Sequence, residues 1–302
     1  MLDPRELYSL EPHRPSLEGV VLVQALDGFV DAGAAKRLAR QHLLRRGSQV
    51  VARFDADQLH DYRARRPLMV FAEDHWESYD EPELAVHLVE DDAGTPFLVL
   101  AGPEPDVQWE RFVAALLMLV EQLGVRMSVG LNAIPMAVPH TRPVGVIAHG
   151  TKPEHSADLE RWVGTVHVPS TAGHLLEYRM GKAGREAAGF AVAVPHYLSD
   201  TEYPAAAVVL LESLSRLAGL SLSTDDLVSA ALTARTALDE QIAGSPEVAA
   251  VVTALEQQYD AFQAGRERSL LGGDGDNLPT ADELGAELER FLAEQSRDDP
   301  SA

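Results

Sequence analysis

The sequence predicts an α/β protein with a mostly parallel sheet that helices cover on both faces, followed by a C-terminal helical extension. Valine-rich apolar runs alternate with amphipathic segments over the first two-thirds of the chain, as in sheets built from strand–helix units. After Gly219 the strand-like runs stop and two long helical patterns follow. We therefore expect a core domain at 1–219, a helical extension at 220–268, and a glycine-rich linker with an acidic arm at 269–302.

The elements of the core follow from local patterns. Residues 20–26 form a valine-rich apolar run that suits a buried strand. Asp31 is placed to cap a helix to about residue 46, with its apolar stripe at Ala34, Leu38, His42 and Leu43. Further strands are predicted at 49–54, 68–72, 97–100, 127–134, 144–148 and 190–194, with an edge strand or hairpin partner at 84–89. Helices are predicted at 106–123, capped by Asp106, at 175–187 and at 204–218.

The extension is predicted to contain helices at 224–242 and 246–262. The second helix carries an apolar stripe of Val248, Val251, Val252, Leu255, Tyr259 and Phe262. Residues 270–279 are a glycine-rich break. Thr280 and Glu283 then form a capping-box pattern before a short amphipathic helix at 284–292.

Composition excludes several classes of function. The chain has 302 residues, 46% of them hydrophobic, and a formal net charge of −22, which disfavours binding to nucleic acid or anionic membranes. It has no cysteine, so disulfides and cysteine nucleophiles are excluded. The N-terminal residues lack an apolar core, and no apolar run is long enough to span a membrane. We therefore expect a cytoplasmic protein, and no metal or cofactor is predicted.

The segment GFVDAG joins the first strand to the first helix. Its glycines Gly28 and Gly33 and its Asp31 resemble a nucleotide loop, but the spacing matches neither G-x-G-x-x-G nor a Walker motif. One interpretation is that Asp31 caps the helix and Gly33 permits close packing. The other is an anion site at the helix N-terminus.

The segment 55–67 combines Asp55 and Asp57 with Arg63, Arg65 and Arg66. Two carboxylates can hold a metal or act as acid and base. The arginines can instead pair with them, since guanidinium groups bind carboxylates in a bidentate fork. An ion-paired loop or subunit contact is one interpretation, and a phosphate clamp is another.

Glu104 lies at the carboxyl end of a predicted strand and is a catalytic candidate. The loop 135–143, PMAVPHTRP, follows another buried strand, and its three prolines indicate a rigid, irregular loop. His140 is a candidate base and Arg142 a candidate anion ligand, with Asn132 and Met136 beside them. Alternatively, this is only a rigid loop with His140 at a surface or interface.

Other histidines, including His174 and His196, lie at predicted strand ends or helix starts. None shows the H-E-x-x-H spacing of a zinc site. No G-x-S-x-G elbow is present either, so nucleophilic hydrolysis is unsupported.

Six segments in this order resemble the proteasome-assembly-chaperone family, and in particular its long actinobacterial branch. They are GFVDAG, FDADQLHDYRARRP, GPEPDVQWERF, PMAVPHTRP, VPSTAGHLLEYRMG and AVAVPHYLSDTEYPAAAVVLLESLSRLAG. The resemblance covers about residues 5–265. It implies a core similar to the phosphorylase/hydrolase fold, self-association with a trimer as one form, and proteasome subunits or other proteins as partners. It implies no established reaction and transfers no catalytic residue.

One feature departs from the family. Members that bind proteasome rings can end in a hydrophobic–tyrosine–any tail, whereas this chain ends Pro300-Ser301-Ala302. Insertion of such a tail into a ring pocket is therefore not expected, and the helical extension is a different candidate contact.

Two functions remain open at this stage. The first is a non-catalytic, self-associating assembly factor that binds other proteins. The second is a phosphorylase- or hydrolase-like enzyme or small-molecule binder that uses the loops at the strand carboxyl ends. Convergence of Arg63, Glu104, His140 and Arg142 on one pocket would favour the second.

Overall fold

A computed structural model describes residues 2–45, 47–156 and 164–271. Ten strands are present in this part of the chain: β1 (Tyr8–Leu10), β2 (Val20–Asp27), β3 (Gln49–Phe54), β4 (Met69–Ala72), β5 (His75–Tyr79), β6 (Ala85–Glu90), β7 (Pro96–Pro103), β8 (Val125–Met136), β9 (Val146–Gly150) and β10 (Glu186–Pro195). Eight of them form one sheet in the order β1-β3-β6-β7-β2-β8-β10-β9, while β4 and β5 form a separate hairpin.

The four central strands of the sheet, β7, β2, β8 and β10, are parallel. Antiparallel strands extend it at both sides, with β6, β3 and β1 beyond β7 and β9 beyond β10. The predicted α/β class is confirmed, and the sheet is mixed, with a parallel centre and antiparallel strands at both sides.

Seven α-helices accompany these strands in the described residues: α1 (Ala35–Leu44), α2 (Ala56–Leu59), α3 (Trp109–Gln122), α4 (Ala172–Lys182), α5 (Pro204–Ala218), α6 (Asp225–Ala243) and α7 (Pro246–Leu271). Short 3-10 turns complete the list at Pro4–Leu7, Ala32–Ala34, Pro153–Ser156 and His196–Leu198. The strand–helix alternation predicted for the core is therefore present.

Two apolar cores lie on opposite faces of the sheet, because side chains alternate along each strand. Val21 and Val23 of β2 belong to the core that α1 and α5 cover. Val20 and Leu22 of the same strand belong to the core that α3 and α4 cover. Helices thus cover both faces, as the sequence predicted.

Several predicted elements differ in part from the structure. The helix predicted at 175–187 ends at Lys182, and Glu186 already starts β10. Gly184, with φ of 70°, follows the end of the helix in the left-handed region that glycine favours. The segment predicted as an edge strand or hairpin partner at 84–89 forms β6, which is the hairpin partner of β7 and lies inside the sheet because it also pairs with β3.

The helix predicted from Asp106 begins instead at Trp109. Its N-cap residue is Gln108, which has a left-handed φ of 60°. Asp106 accepts a hydrogen bond from the Asp61 amide and forms an ion pair with Arg65 at 3.1 Å. It therefore fastens a neighbouring loop rather than capping the helix.

Contacts divide the chain into two compact units, Met1–Ala249 and Ala250–Ala302. In the second unit the structure describes α7 as far as Leu271. Of the stripe predicted on this helix, Val252 and Leu255 are buried, whereas Val248, Val251 and Phe262 are exposed. The predicted capping box and the helix at 284–292 lie outside the described residues, and the domain boundary predicted at 219 stays a prediction.

Candidate functional site

The central sheet opens between β2 and β8 at the carboxyl ends of the strands. Pairing between these two strands ends at Gln24 and Gly130. Beyond that point β2 continues beside β7 as far as Asp27, and β8 continues beside β10 as far as Met136. Such an opening is where α/β sheets bind ligands, because the connections leave adjacent strands in opposite directions.

A cavity of about 30 Å³, which we call the recess, lies at this opening. It is lined by Gln24, Gly28, Lys36, Glu104, Asn132 and Gly173, together with Thr171, His174 and Glu177. Gln24, Lys36 and Glu104 retain only 4%, 5% and 6% of their surface accessibility. The recess is therefore a small polar site with buried groups of both charges.

Lys36 and Glu104 define the electrostatics of the recess. Burial raises the pKa of Glu104, against the opposing effects of the Ala172 amide and Lys36. Burial also lowers the pKa of Lys36, although Asp31, Asp27 and Glu104 oppose that shift. Neither side chain forms an ion pair within 4.0 Å in the described part of the chain. Lys36 and Glu104 thus attract each other electrostatically without forming a direct ion pair.

The N-terminus of α4 forms one side of the recess. Thr171 caps the helix by accepting a hydrogen bond from the His174 amide at 3.0 Å. The Ala172 amide donates to Glu104 Oε1. A helix N-terminus carries partial positive charge, so it stabilises the anionic form of this carboxyl group.

Four of the residues that the sequence singled out lie together at the recess: Gly28, Glu104, Asn132 and His174. Burial lowers the pKa of His174, and nearby His149 acts in the same direction. The His174 imidazole is therefore neutral over a wider range of pH than a free histidine.

Asp31 and Gly33 have structural contacts outside the recess. Asp31 accepts hydrogen bonds from the amides of Lys36 at 2.8 Å and Arg37 at 2.9 Å, which caps α1. Gly33 has φ of 64°, and a Cβ there would lie 2.8 Å from Tyr203 Cβ. This is the arrangement that the capping and packing interpretation of GFVDAG describes.

The remaining candidates do not line the recess. Arg63 is exposed beside the β4–β5 hairpin, and His196 is exposed at the end of β10. Met136 ends β8, and Arg142 lies half-buried in the following loop. Consequently Arg63, Glu104, His140 and Arg142 do not converge on one described pocket.

His140, expected at a surface or interface, is instead buried. Its Nδ1 and backbone amide lie 2.6 and 2.9 Å from the hydroxyl of Tyr197, and its Nε2 lies 3.1 Å from Asp239 on α6. Arg235 donates to the His140 carbonyl at 2.8 Å. The residue thus fastens the proline-rich loop to α6, which accounts for its burial.

Sequence reasoning missed Gln24 and Lys36. Gln24 is a polar residue inside the apolar run of β2, and this interruption was a visible signal. Lys36 gave no signal, because a lysine in the first turn of a helix is normally solvated.

Two properties of the described residues bear on other classes of function. No group of three histidine or carboxylate side chains within residues 2–45, 47–156 and 164–271 is arranged to hold a metal ion. None of the helices in the same residues has the length and hydropathy that a membrane span requires.

A mixed sheet with a parallel centre, helices on both faces and an opening at the strand carboxyl ends defines a doubly wound α/β protein. The model of the PAC2 family matches residues 25–242, and the chain belongs to this family. The resemblance to proteasome-assembly chaperones seen in the sequence is thereby confirmed. No curated protein matches the chain.

Several solved structures are similar to this one. A Mycobacterium tuberculosis protein of unknown function is 49% identical, with a TM-score of 0.84 over 88% of this chain and 92% of that one. A Corynebacterium glutamicum protein of unknown function is 40% identical, with a TM-score of 0.81 over 84% and 97% of the two chains. A proteasome-assembly chaperone homologue from Mycobacterium tuberculosis is 25% identical, with a TM-score of 0.71 over 77% and 100%.

Proposed function

We propose that this protein is a non-catalytic, self-associating factor that binds other proteins, proteasome subunits among them. The observation that carries the proposal is the β4–β5 hairpin. It stands apart from the central sheet, and its apolar side chains are exposed. Exposed apolar side chains gathered on one element mark sites of protein association.

The apolar surface of the hairpin, which we call the hairpin patch, consists of Leu68, Met69, Val70, Phe71, Trp76 and Tyr79. Leu68 is 76% exposed and Trp76 is 62% exposed. The rings of Phe71 and Trp76 meet edge to face with centroids 5.1 Å apart. Large, rigid aromatic groups are the residues that contribute most to protein interfaces.

The base of the hairpin is fastened to the rim of the central sheet. The Asp61 amide donates to Asp106 at 2.9 Å, and Arg65 pairs with the same carboxylate. Tyr62 donates to Asp57 at 2.5 Å, and this hydrogen bond raises the pKa of Tyr62 to about 12. These contacts hold the hairpin patch in a defined place, which lowers the entropic cost of association.

Charges around the hairpin patch favour a second copy of this chain as its occupant. Arg63 and Arg66 are exposed in the segment before β4, and their side chains form no ion pair with another described residue. The segment 73–81, at the turn and second strand of the hairpin, contains Glu73, Asp74, Glu77, Asp80 and Glu81. A head-to-tail interface can set the basic segment of one copy against the acidic segment of the next, and it gives a ring such as a trimer when the rotation between copies closes.

Local charge pairing matters because the whole chain carries −22. Two such chains repel each other at long range. Opposite charges beside the hairpin patch offset this repulsion in the one orientation that brings the apolar groups together. We assign most of the binding energy to the apolar groups, since exposed ion pairs contribute little.

A double substitution tests this surface directly. Phe71→Ser with Trp76→Ser removes both aromatic groups from exposed positions, so the fold is expected to stay intact and the oligomer to dissociate. Sedimentation velocity measures the change, and circular dichroism checks the fold. The matched control is Leu232→Ser, which removes an apolar side chain that is 66% exposed on α6.

The two variants separate the competing interfaces. Dissociation of the hairpin variant with an intact Leu232→Ser oligomer supports the proposal. Dissociation of Leu232→Ser alone would place the interface on the helical extension and contradict it.

The role in assembly is supported by the match to the PAC2 family and by the likeness to the proteasome-assembly chaperone homologue from Mycobacterium tuberculosis. Mixed with purified proteasome subunits of the same organism, the wild-type protein should co-migrate with them in native electrophoresis. Failure of both the wild-type protein and the monomeric hairpin variant to bind any subunit would remove proteasome assembly from the proposal.

The alternative function is an enzyme of phosphorylase or hydrolase type. The convergence of candidate residues that would have favoured it is not found in a described pocket. Arg63 and His140 lie away from Glu104, so the base and anion clamp are not assembled around it. The binding of a small molecule keeps a specific observation in its favour, namely the recess.

A further inference from the structure

We propose that the recess binds the head group of a small molecule of the carboxamide class, meaning a primary amide or a ureide. Such a head group is uncharged and presents an N–H donor beside a C=O acceptor. The inference rests on the groups that line the recess and is independent of self-association.

Gln24 supplies an acceptor that the fold leaves unused. Ser128 Oγ donates to the Leu22 carbonyl at 3.3 Å, so Gln24 Nε2 must donate to Ser128 Oγ, which lies 2.8 Å away. This orients the amide and leaves Gln24 Oε1 buried without a partner. An unsatisfied buried acceptor costs free energy, and an N–H from a ligand removes that cost.

Two glycines keep the recess open. Neither Gly28 nor Gly173 has a φ in the left-handed region, so the backbone does not require glycine at either place. A Cβ at Gly28 would lie 3.1 Å from Glu104 Oε2 and 3.8 Å from Lys36 Nζ, and one at Gly173 would lie 3.0 Å from Gln24 Oε1. Gly173 is also less favourable than alanine in the first turn of α4. Gly173 therefore leaves space in the recess but makes α4 less stable than alanine would.

The remaining lining groups complete an amide-binding set. Lys36 Nζ is a donor whose one hydrogen bond in the described residues is a long contact of 3.5 Å to the Val30 carbonyl. Glu104 Oε1 is occupied by Ala172, which leaves Oε2 as an acceptor. We assign the ligand carbonyl to Lys36 and its N–H groups to Gln24 Oε1 and Glu104 Oε2.

Charge selects against the two ionic relatives of an amide. A carboxylate could pair with Lys36, but its second oxygen would lie against Gln24 Oε1, Glu104 and Glu177, which all present acceptor oxygens. An ammonium could pair with Glu104, but it would lie against the buried amine of Lys36 and leave that donor without an acceptor. An uncharged group with both a donor and an acceptor avoids each of these repulsions.

The body of the ligand has space outside the recess. At about 30 Å³ the recess has room for about two water molecules, which suits a head group and not a ring. A groove of about 620 Å³ shares His174 and Glu177 with it and continues along α4 past Tyr178. A small ring attached to the amide therefore has space in the groove.

Benzamide, benzoate and benzylamine test the head-group preference, because they share a phenyl ring and differ in the attached polar group. We expect saturation-transfer NMR to show benzamide bound to the full chain at millimolar concentration. Benzoate and benzylamine should bind about tenfold more weakly or worse, because each loses a hydrogen bond and gains a repulsion. Tighter binding of either ion, or no binding of benzamide, overturns the proposal.

Gly173→Ala tests the location. The added Cβ presses on Gln24 Oε1, while the helix gains stability, so the variant is expected to fold and to bind benzamide about tenfold more weakly. The control is Gly244→Ala at the end of α6, where φ is −78° and the nearest atom to a Cβ is 3.4 Å away. Benzamide binding by Gly173→Ala that matches the wild type overturns the assignment.

Discussion

At the scale of single residues, the most informative pair is Lys36 and Glu104. Both side chains are almost fully buried, and burial shifts their pKa values in opposite directions, downward for the lysine and upward for the glutamic acid. Burial thus favours the neutral form of each group, whereas the attraction between Lys36 and Glu104 opposes both shifts and stabilises the two charged forms. Removal of one partner leaves a buried charge without compensation.

We expect a favourable coupling between these two side chains in a double-mutant cycle of Lys36→Met and Glu104→Gln. At pH 7 the coupling energy should be roughly 1 kcal/mol, measured as the free energy of unfolding in urea. The raised pKa of Glu104 means that its carboxyl group takes up a proton as the pH falls, so the coupling should shrink toward pH 4. A coupling near zero at pH 7 would show that the two groups do not interact.

The sequence identified part of this site for physical reasons. Glu104 and Gly28 were found because they follow predicted strands. Lys36 was not identified. The helix that was predicted to follow a cap at Asp31 begins only at Ala35, after a 3-10 turn in which Ala34 has a left-handed φ of 50°. The buried face of α1 therefore includes Lys36, which a pattern of apolar residues cannot show.

At the scale of elements, Asp91 joins two loops that are distant in the sequence. Its carboxylate accepts hydrogen bonds from the amides of Ala93 at 2.9 Å, Thr95 at 2.7 Å and Ser221 at 2.7 Å. The first two close the turn between β6 and β7, and the third fixes the connection from α5 to α6. Burial acts to raise the pKa of Asp91, but these three hydrogen bonds outweigh it and lower the pKa.

We expect Asp91→Ala to reduce the free energy of unfolding by about 2–3 kcal/mol at pH 7, because it leaves three amides without their acceptor. A lowered pKa means that the contribution is present above the unfolded-state value of about 3.9 and is lost as the pH falls through the folded-state value. Urea unfolding from pH 7 to pH 3 should therefore show a difference from wild type that shrinks below about pH 4. Glu90→Gln, at an exposed neighbouring carboxylate, is the control, and an equal loss in both variants would refute the assignment.

Elements were predicted best where one pattern dominated. The helix α5 matches its predicted bounds, since Pro204 suits the first turn of a helix and Gly219 its end. The segment 183–187 was wrongly assigned to α4, because Glu186 and Ala187 are good helix formers and only pairing with β8 places them in a strand. The strand predicted at 68–72 exists as β4, but its apolar residues gave no sign that it would lie in an exposed hairpin.

At the scale of the whole molecule, the protein combines a high negative charge with a local apolar surface. The charge of −22 opposes non-specific association, whereas we propose that the hairpin patch provides one specific contact. This combination is what a protein needs if it assembles with defined partners and with copies of itself. The small, polar recess at the other functional surface is suited to a ligand rather than to a protein partner.

The mass of the full chain in solution tests self-association most directly. We predict that sedimentation equilibrium of the wild type at micromolar concentration gives at least twice the 32.7 kDa chain mass, and three times that mass for a closed trimer. The Phe71→Ser, Trp76→Ser variant should give the mass of one chain. A wild-type mass of a single chain across this concentration range would contradict the central claim.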